Sequence, residues 1–294
     1  MADRPRFGPA GVPLAFGMVS SDLEDIPRFL REEGLDAFEY EAIYWGKKPQ
    51  IKRERAERLK EKARENDVWL SMHASYFVNL CGKKDVVEAS QKRLIACATA
   101  AEWMGAHIVV FHPGYYGRKL RNEAFKQCAQ SLREIIQSLD SLGVRQVKLG
   151  PETSGKVAQL GSLDEVLRLC NEVERMQPAI DWAHLHARDM GRFRKVEDFR
   201  NVIAQIENQL GTEVARDLHC HFTKIEFSDK GERRHHTLDE QRYGPNFEML
   251  AEVIAEFGLK PVVISESPLL DLDAVKMRDI VRRKLAEKSA SSMR

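Results

Sequence analysis

At 294 residues, 43% hydrophobic and 31% charged, the chain can bury a sizeable core beneath a solvated face, which excludes a disordered protein. Its N-terminus lacks a basic region followed by a long apolar run, and no stretch reaches the roughly 18 consecutive apolar residues of a membrane span, so a cytoplasmic protein without membrane contact is expected. A formal net charge of +1 carries no global sign of nucleic-acid binding and leaves only local basic patches: KKPQIKRER at 47–55, GRKLR at 117–121 and the arginines at 188, 192 and 194.

Short apolar or β-branched runs alternate with longer amphipathic segments. The strand candidates are LAFGMV (14–19), AFEYEAI (37–43), VWLSMHA (68–74), HIVVFH (107–112), VKLGPE (147–152), PAIDWAH (178–184), DLHCHFT (217–223) and PVVISES (261–267). Helical spacing follows each, as in Ile26, Phe29 and Leu30, or Leu163, Val166, Leu167 and Leu169. Eight such units, with no linker between them, predict an α/β fold: a (β/α)8 TIM barrel as one domain over 1–294, its tail frayed after about Leu285. An open doubly wound sheet would ordinarily carry a glycine-rich phosphate turn after its first strand, and none is present. The five cysteines are scattered and never in a CxxC pair, which argues against both a disulfide framework and a thiolate zinc site.

The chemistry lies in where the polar residues fall. His73, His112, Glu152, Asp181, His184, His221 and Glu266 all sit at or just past the C-terminal ends of predicted strands three to eight, ends that a closed barrel brings to one mouth. Singly, each reads as a hydrogen-bonded core histidine or a salt-bridged carboxylate. Jointly, imidazoles and carboxylates make a ligand set for zinc and, less tightly, manganese or iron, with room for more than one ion. Two adjacent ions suit phosphodiester hydrolysis. His107, at the start of its strand, lies far from this face, and His186, His219 and His236 read as structural or supporting residues.

The segments HASYFVNL (73–80), FHPG (111–114), PETSG (151–155), IDWAH (180–184), HFTK (221–224), RRHH (233–236) and ISES (264–267) occur in the order and placement of a known family. The chain resembles the endonuclease IV family, and more closely its shorter archaeal-type branch, within the xylose isomerase-like barrel superfamily. The resemblance implies two or three Zn2+ ions, with Mn2+ as an alternative. His73, His112 and Glu152 would hold the first ion; Glu152, Asp181, His221 and Glu266 the second; His184 and His235 the third. The family's pattern has an Asp where this chain has Arg233, which cannot be a ligand, and Glu232 is the substitute this reading favours, with Asp229 more distant. A flexible charged lid without metal is the competing reading of SDKGERRHH.

The resemblance further implies hydrolysis of the phosphodiester 5′ to an abasic site in double-stranded DNA, with Glu152 and Glu266 as catalytic residues and no obligate protein partner. Tyr76 and Phe77 would enter the DNA stack, unless they pack as ordinary barrel-top residues, and Trp45 with Lys47 would form a second DNA-contacting loop. Two rivals stand beside this reading. One is a xylose isomerase-like sugar isomerase or epimerase using a single divalent metal; the other is a non-catalytic DNA-binding barrel with a decayed metal site.

Overall fold

The computed structural model describes residues 3–292. Eight parallel strands line a barrel: β1 (Arg6–Pro9), β2 (Ala37–Glu41), β3 (Trp69–His73), β4 (Ile108–Phe111), β5 (Lys148–Pro151), β6 (Ala179–Asp181), β7 (His219–Phe222) and β8 (Val262–Ser265). They form two four-stranded arcs, β1-β8-β7-β6 and β2-β3-β4-β5. Isolated parallel bridges, Ala10 with Glu39 and Glu152 with Ala179, join the arcs. Backbone hydrogen bonds from Asp36 N–H to Phe7 O (3.0 Å) and from Thr153 N–H to Ala179 O (3.1 Å) tie the same seams.

Side chains alternate across each strand. In β7, Cys220 and Phe222 pack outward into the large apolar layer beneath the helices, while His219 and His221 point to the barrel axis beside Glu39 of β2 and Glu152 just past β5. Among the described residues, two small apolar clusters stand beside these polar groups, Ala37 with Val262 and Ile264, and Ile108 with Val110 and Ala179. Helices at Arg53–Glu65, Lys84–Met104, Arg121–Ser141, Leu163–Glu172, Val196–Leu210 and Phe247–Phe257 cover the outside. Among the described residues no helix is long and apolar enough to cross a membrane. All five cysteines are free thiols.

Three sequence expectations are corrected. The first strand is Arg6–Pro9, and residues 14–19 form a loop with a short helical turn at Phe16–Met18. RFGP offers no apolar alternation to read; it is held by parallel pairing with β8, while the Arg6 guanidinium reaches Asp67 Oδ1 at 2.9 Å. The sixth strand stops at Asp181, where the Asp181 side chain accepts a 2.5 Å bond from His184 N–H and caps a helix over Trp182–Arg188. Residues 286–292 are helical, because the last helix runs over Leu270–Ser292; the rest of the tail lies outside the described residues. Its Lys288 Nζ donates to the carbonyls of Ala255 (2.9 Å) and Glu256 (2.8 Å), near the C-terminal end of the preceding helix where carbonyls lack helical partners.

Phe222 is fully buried and meets Phe247 edge-to-face at 4.8 Å between centroids. Phe222→Ala is expected to cost about 3–5 kcal/mol of stability, read as a lowered urea midpoint.

Candidate metal centre

Strand ends and the turns after them bring the donors together. Glu152, the residue after β5, is fully buried at the centre. Its Oε2 lies 3.3 Å from His73 Nε2 and 3.4 Å from His112 Nδ1; its Oε1 lies 3.2 Å from both His184 Nδ1 and His221 Nδ1. Glu266, just past β8, places Oε1 3.1 Å from His221 Nδ1. Three sets of donor atoms lie within 4.8 Å of one another at the mouth: His73, His112 and Glu152; Glu152, Asp181, His221 and Glu266; and His184, His235 and Glu266.

Backbone carbonyls aim several rings. A carbonyl only accepts, so the nitrogen facing it carries the hydrogen and the other is free. His73 Nδ1–H donates to Ala74 O (2.9 Å), His184 Nδ1–H to Thr153 O (2.9 Å) and His235 Nδ1–H to Glu266 O (3.1 Å), leaving Nε2 of each available. His112 Nδ1, Asp181 Oδ2 and Glu232 Oε2 are buried without a hydrogen-bond partner. Unpartnered buried polar atoms are rare and costly; His112 Nδ1 and Asp181 Oδ2 each belong to one of the donor sets, where a cation would satisfy them, so the residues fit a divalent metal.

The electrostatics agree. Burial alone would lower the His73 pKa, but Glu152, Glu41 and Glu39 raise it to about 10. Burial likewise opposes charge on His184 and His221, yet surrounding carboxylates push both well above the ordinary imidazole range. Burial, with Glu266 and Glu152 nearby, drives Asp181 well above the usual carboxylate range. Burial would raise Glu232 too, but His184 and its other cationic neighbours hold it far below. Protons here occupy positions that cations could take.

Glu232 and His235 sit on a hairpin of strands Lys224–Ser228 and Gly231–His236, where the sequence offered only a charged loop or lid. The register pairs Glu226 with Arg234 and Phe227 with Glu232, so Arg233 is the extra residue of a β-bulge. Residues three apart would normally face opposite ways; the bulge restores Glu232 and His235 to one face. Ile225 and Phe227 share it and pack on Ala183 and Ala187 of the Trp182–Arg188 helix. Glu232 Oε2 thereby lies 3.0 Å from His184 Nε2. Glu266 is nevertheless the carboxylate that completes the donor set of His184 and His235. Arg233 is exposed and bonds Glu226 across the hairpin at 3.3 Å.

The hairpin docks on the loop after β5, where Glu232 N–H bonds Gly155 O at 3.2 Å and a Cβ at Gly155 would collide with the Glu232 carboxylate. Arg188, expected in a basic patch, is instead buried. It clamps this loop by donating to the carbonyls of Ser154 (3.1 Å), Lys156 (2.7 Å) and Gln159 (3.0 Å). A cavity of about 350 Å³ opens between hairpin and barrel, lined in part by Tyr76, His112, Lys156, His184 and Glu232.

Tyr76 and Phe77 project from the mouth, 51% and 57% exposed, with the Tyr76 ring 5.2 Å from that of His73. Trp45 does not. It is 6% exposed and packs edge-to-face on Tyr40 at 5.7 Å, because the turn after β2 folds it into the core; Tyr44, 73% exposed, is the outward aromatic there, and Lys47 is exposed beside it. Sequence reasoning also missed Glu39 and Glu41 of β2. Burial raises Glu41 to about 7, and Glu39 contacts His219 and His221 inside the barrel. Their signal was two carboxylates at period two within an apolar strand.

The chain matches the family described as xylose isomerase-like TIM barrel over residues 27–288. It belongs to that family. A protein of uncharacterised function from Methanocaldococcus jannaschii is 34% identical over 92% of this chain and 94% of its own. A probable endonuclease 4 of Mycoplasma genitalium is 25% identical over 71% of this chain and 70% of its own. Among solved structures, endonuclease IV from Thermus thermophilus aligns with a TM-score of 0.69 at 20% identity, covering 96% of this chain and 100% of that one. A D-tagatose 3-epimerase-like protein aligns with a TM-score of 0.67 at 20% identity, covering 92% and 96%. These structural likenesses establish the barrel.

His73 is raised from an ordinary 6.5 to about 10 on folding, so the stability it contributes is complete below pH 6.5 and lost as pH rises through about 10. Chelator-treated protein is therefore expected to weaken between those limits, measured by urea unfolding in EDTA; a flat profile would contradict the assignment.

Proposed function

We propose that the chain is a metal-dependent endonuclease of the endonuclease IV type, hydrolysing the DNA phosphodiester 5′ to an abasic site. The observation that carries this reading is Glu152, whose carboxylate belongs to two of the donor sets at once. A carboxylate shared between sets is what two neighbouring cations require, whereas moving a proton on a sugar requires one. His73, His112 and Glu152 would hold the first ion, and Asp181, His221 and Glu266, with Glu152, the second. His184 and His235 would hold a third, with Glu266 closing the set and Glu232 against His184. Zinc suits these donors, and manganese is the alternative.

Cations held there would polarise the attacking water and stabilise the departing oxygen. The chain's own residues do the rest. Glu152 and Glu266 fix the neighbouring imidazoles. Lys156, at the cavity wall, offers a positive charge to a phosphate. Tyr76 stands beside the donors, where partial burial of its hydroxyl and the nearby carboxylates push the phenol's pKa up, so it presents a neutral ring and hydroxyl to DNA. Phe77 lies next to it, with Arg93 over its ring at 5.8 Å. An exposed aromatic pair can occupy the space left by a missing base, and a nucleotide without a base is cheap to extrude.

The epimerase reading is kept in view by a structural neighbour of nearly equal similarity. Metal content separates the two: purified protein is expected to hold two or three zinc ions per chain, and a single weakly held ion would favour the sugar enzyme. Glu266→Ala should reduce zinc per chain, and Arg233→Ala should not. The direct test is a duplex carrying one tetrahydrofuran abasic analogue, with and without chelator. We expect incision on its 5′ side, abolished in Glu152→Gln or Glu266→Gln, while Tyr76→Ala weakens binding roughly 10-fold, on the scale of one stacking contact. Full cutting by Glu152→Gln would overturn the shared-carboxylate assignment, and binding without cutting would make the chain a recognition module.

A further inference from the structure

A polar column runs down the barrel axis from the metal centre, where packed aliphatic layers are the norm. Glu39, fully buried on β2, accepts a 2.7 Å hydrogen bond from the Ser71 hydroxyl at Oε2, and the same oxygen lies 3.1 Å from His219 Nε2. His219 Nδ1 is 3.2 Å from His107 Nε2, and His107 Nδ1 is 2.8 Å from Leu70 O. His107 then borders a cavity of about 300 Å³ away from the metal centre, lined also by Trp69, Lys148 and Val262. At the upper end, Glu39 Oε1 lies 2.9 Å from His221 Nε2. Oε2 accepts from Ser71 and faces His219, while Oε1 and His221 Nε2, an ion pair at 2.9 Å, have no hydrogen bond elsewhere.

Burying a carboxylate among imidazoles is costly, and apolar residues of similar volume would fill a barrel more stably. The column's upper end shows what it supplies. An imidazole can present either nitrogen to a cation, and the choice is set by what the other nitrogen meets. His221 turns Nδ1 toward Glu152 and Glu266 and Nε2 toward Glu39.

We infer that Glu39, held by the Ser71 hydroxyl with His219 against the same oxygen, is a positioning residue that holds the His221 ring so that Nδ1 is the nitrogen offered to the metal centre. The inference rests on the metal-centre reading above. Carboxylate oxygens only accept and they face both nitrogens, Glu39 at Nε2 and Glu152 and Glu266 at Nδ1; a cation held by Glu152 and Glu266 would replace the hydrogen on Nδ1, while Glu39 keeps the one on Nε2. Glu39, His219 and His221 also have donor atoms within 4.8 Å of one another, so a cation bound among them through Nε2 is the competing outcome.

The deciding measurement is the nitrogen NMR spectrum of zinc-loaded, 15N-labelled protein, read through two-bond proton couplings of the histidine rings. We expect His221 to coordinate zinc through Nδ1 and to carry a slowly exchanging proton on Nε2. Competition with a chromophoric chelator should show Glu39→Ala losing about 10–100-fold in affinity at one zinc site, with the site of His73 and His112 unchanged. Glu39→Gln, which keeps an acceptor oxygen, should recover most of it. Coordination of His221 through Nε2, or unchanged zinc affinity in a folded Glu39→Ala protein, overturns the inference while leaving the metal centre standing. Zinc uptake that engages neither nitrogen of His221 overturns the metal-centre reading at this residue and the inference with it. Should Glu39→Ala fail to fold, the wild-type spectrum and Glu39→Gln decide the matter alone.

Discussion

The arrangement depends on one carboxylate. Glu152 is sealed from solvent and met by imidazoles from four directions: the end of β3, the residue after β4, the first turn of the Trp182–Arg188 helix, and β7. A buried anion of this kind is tolerable only when surrounded by positive charge and hydrogen-bond donors. Its place just past β5 fixes how closely the facing segments may approach. The barrel supplies convergence, and Glu152 supplies the reason for the convergent groups to be titratable.

Around that centre the chain uses several supports of different kinds. Backbone carbonyls set the tautomers of three histidines, and Asp181 divides its oxygens between capping a helix and facing the pocket. Arg188 knits the loop after β5 to the helix, which gives the hairpin a firm seat at Gly155. These supports hold the donors through contacts that are largely independent of any ligand.

How much of this was legible in the sequence varies with the physics of each part. Where one face of a strand packs outward on helices and the other meets the axis, period two exposes both, as in His219-Cys220-His221-Phe222, and the donor positions could be read directly. β1 was invisible because RFGP is held by its neighbours and its arginine, not by apolar alternation. His184 was placed on a strand because IDWAH reads apolar, whereas the Asp181 cap decides that a helix begins there. Trp45 looked like a surface aromatic because sequence does not say which of two adjacent aromatics, Tyr44 or Trp45, a turn will bury. Glu39 escaped notice because its worth lies in contacts with β3 and β7, far away along the chain.

The bulge at Arg233 bears on how such a hairpin can change over time. Side chains alternate, so the orientation of Glu232 relative to His235 is a matter of counting residues, and the surplus residue makes the count come out right. The identity of residue 233 is nearly free, since it faces solvent, while the number of residues between 232 and 235 is not. Drift at this point of the barrel would thus accept many substitutions and reject a one-residue insertion or deletion, the reverse of the tolerance usual for an exposed surface segment.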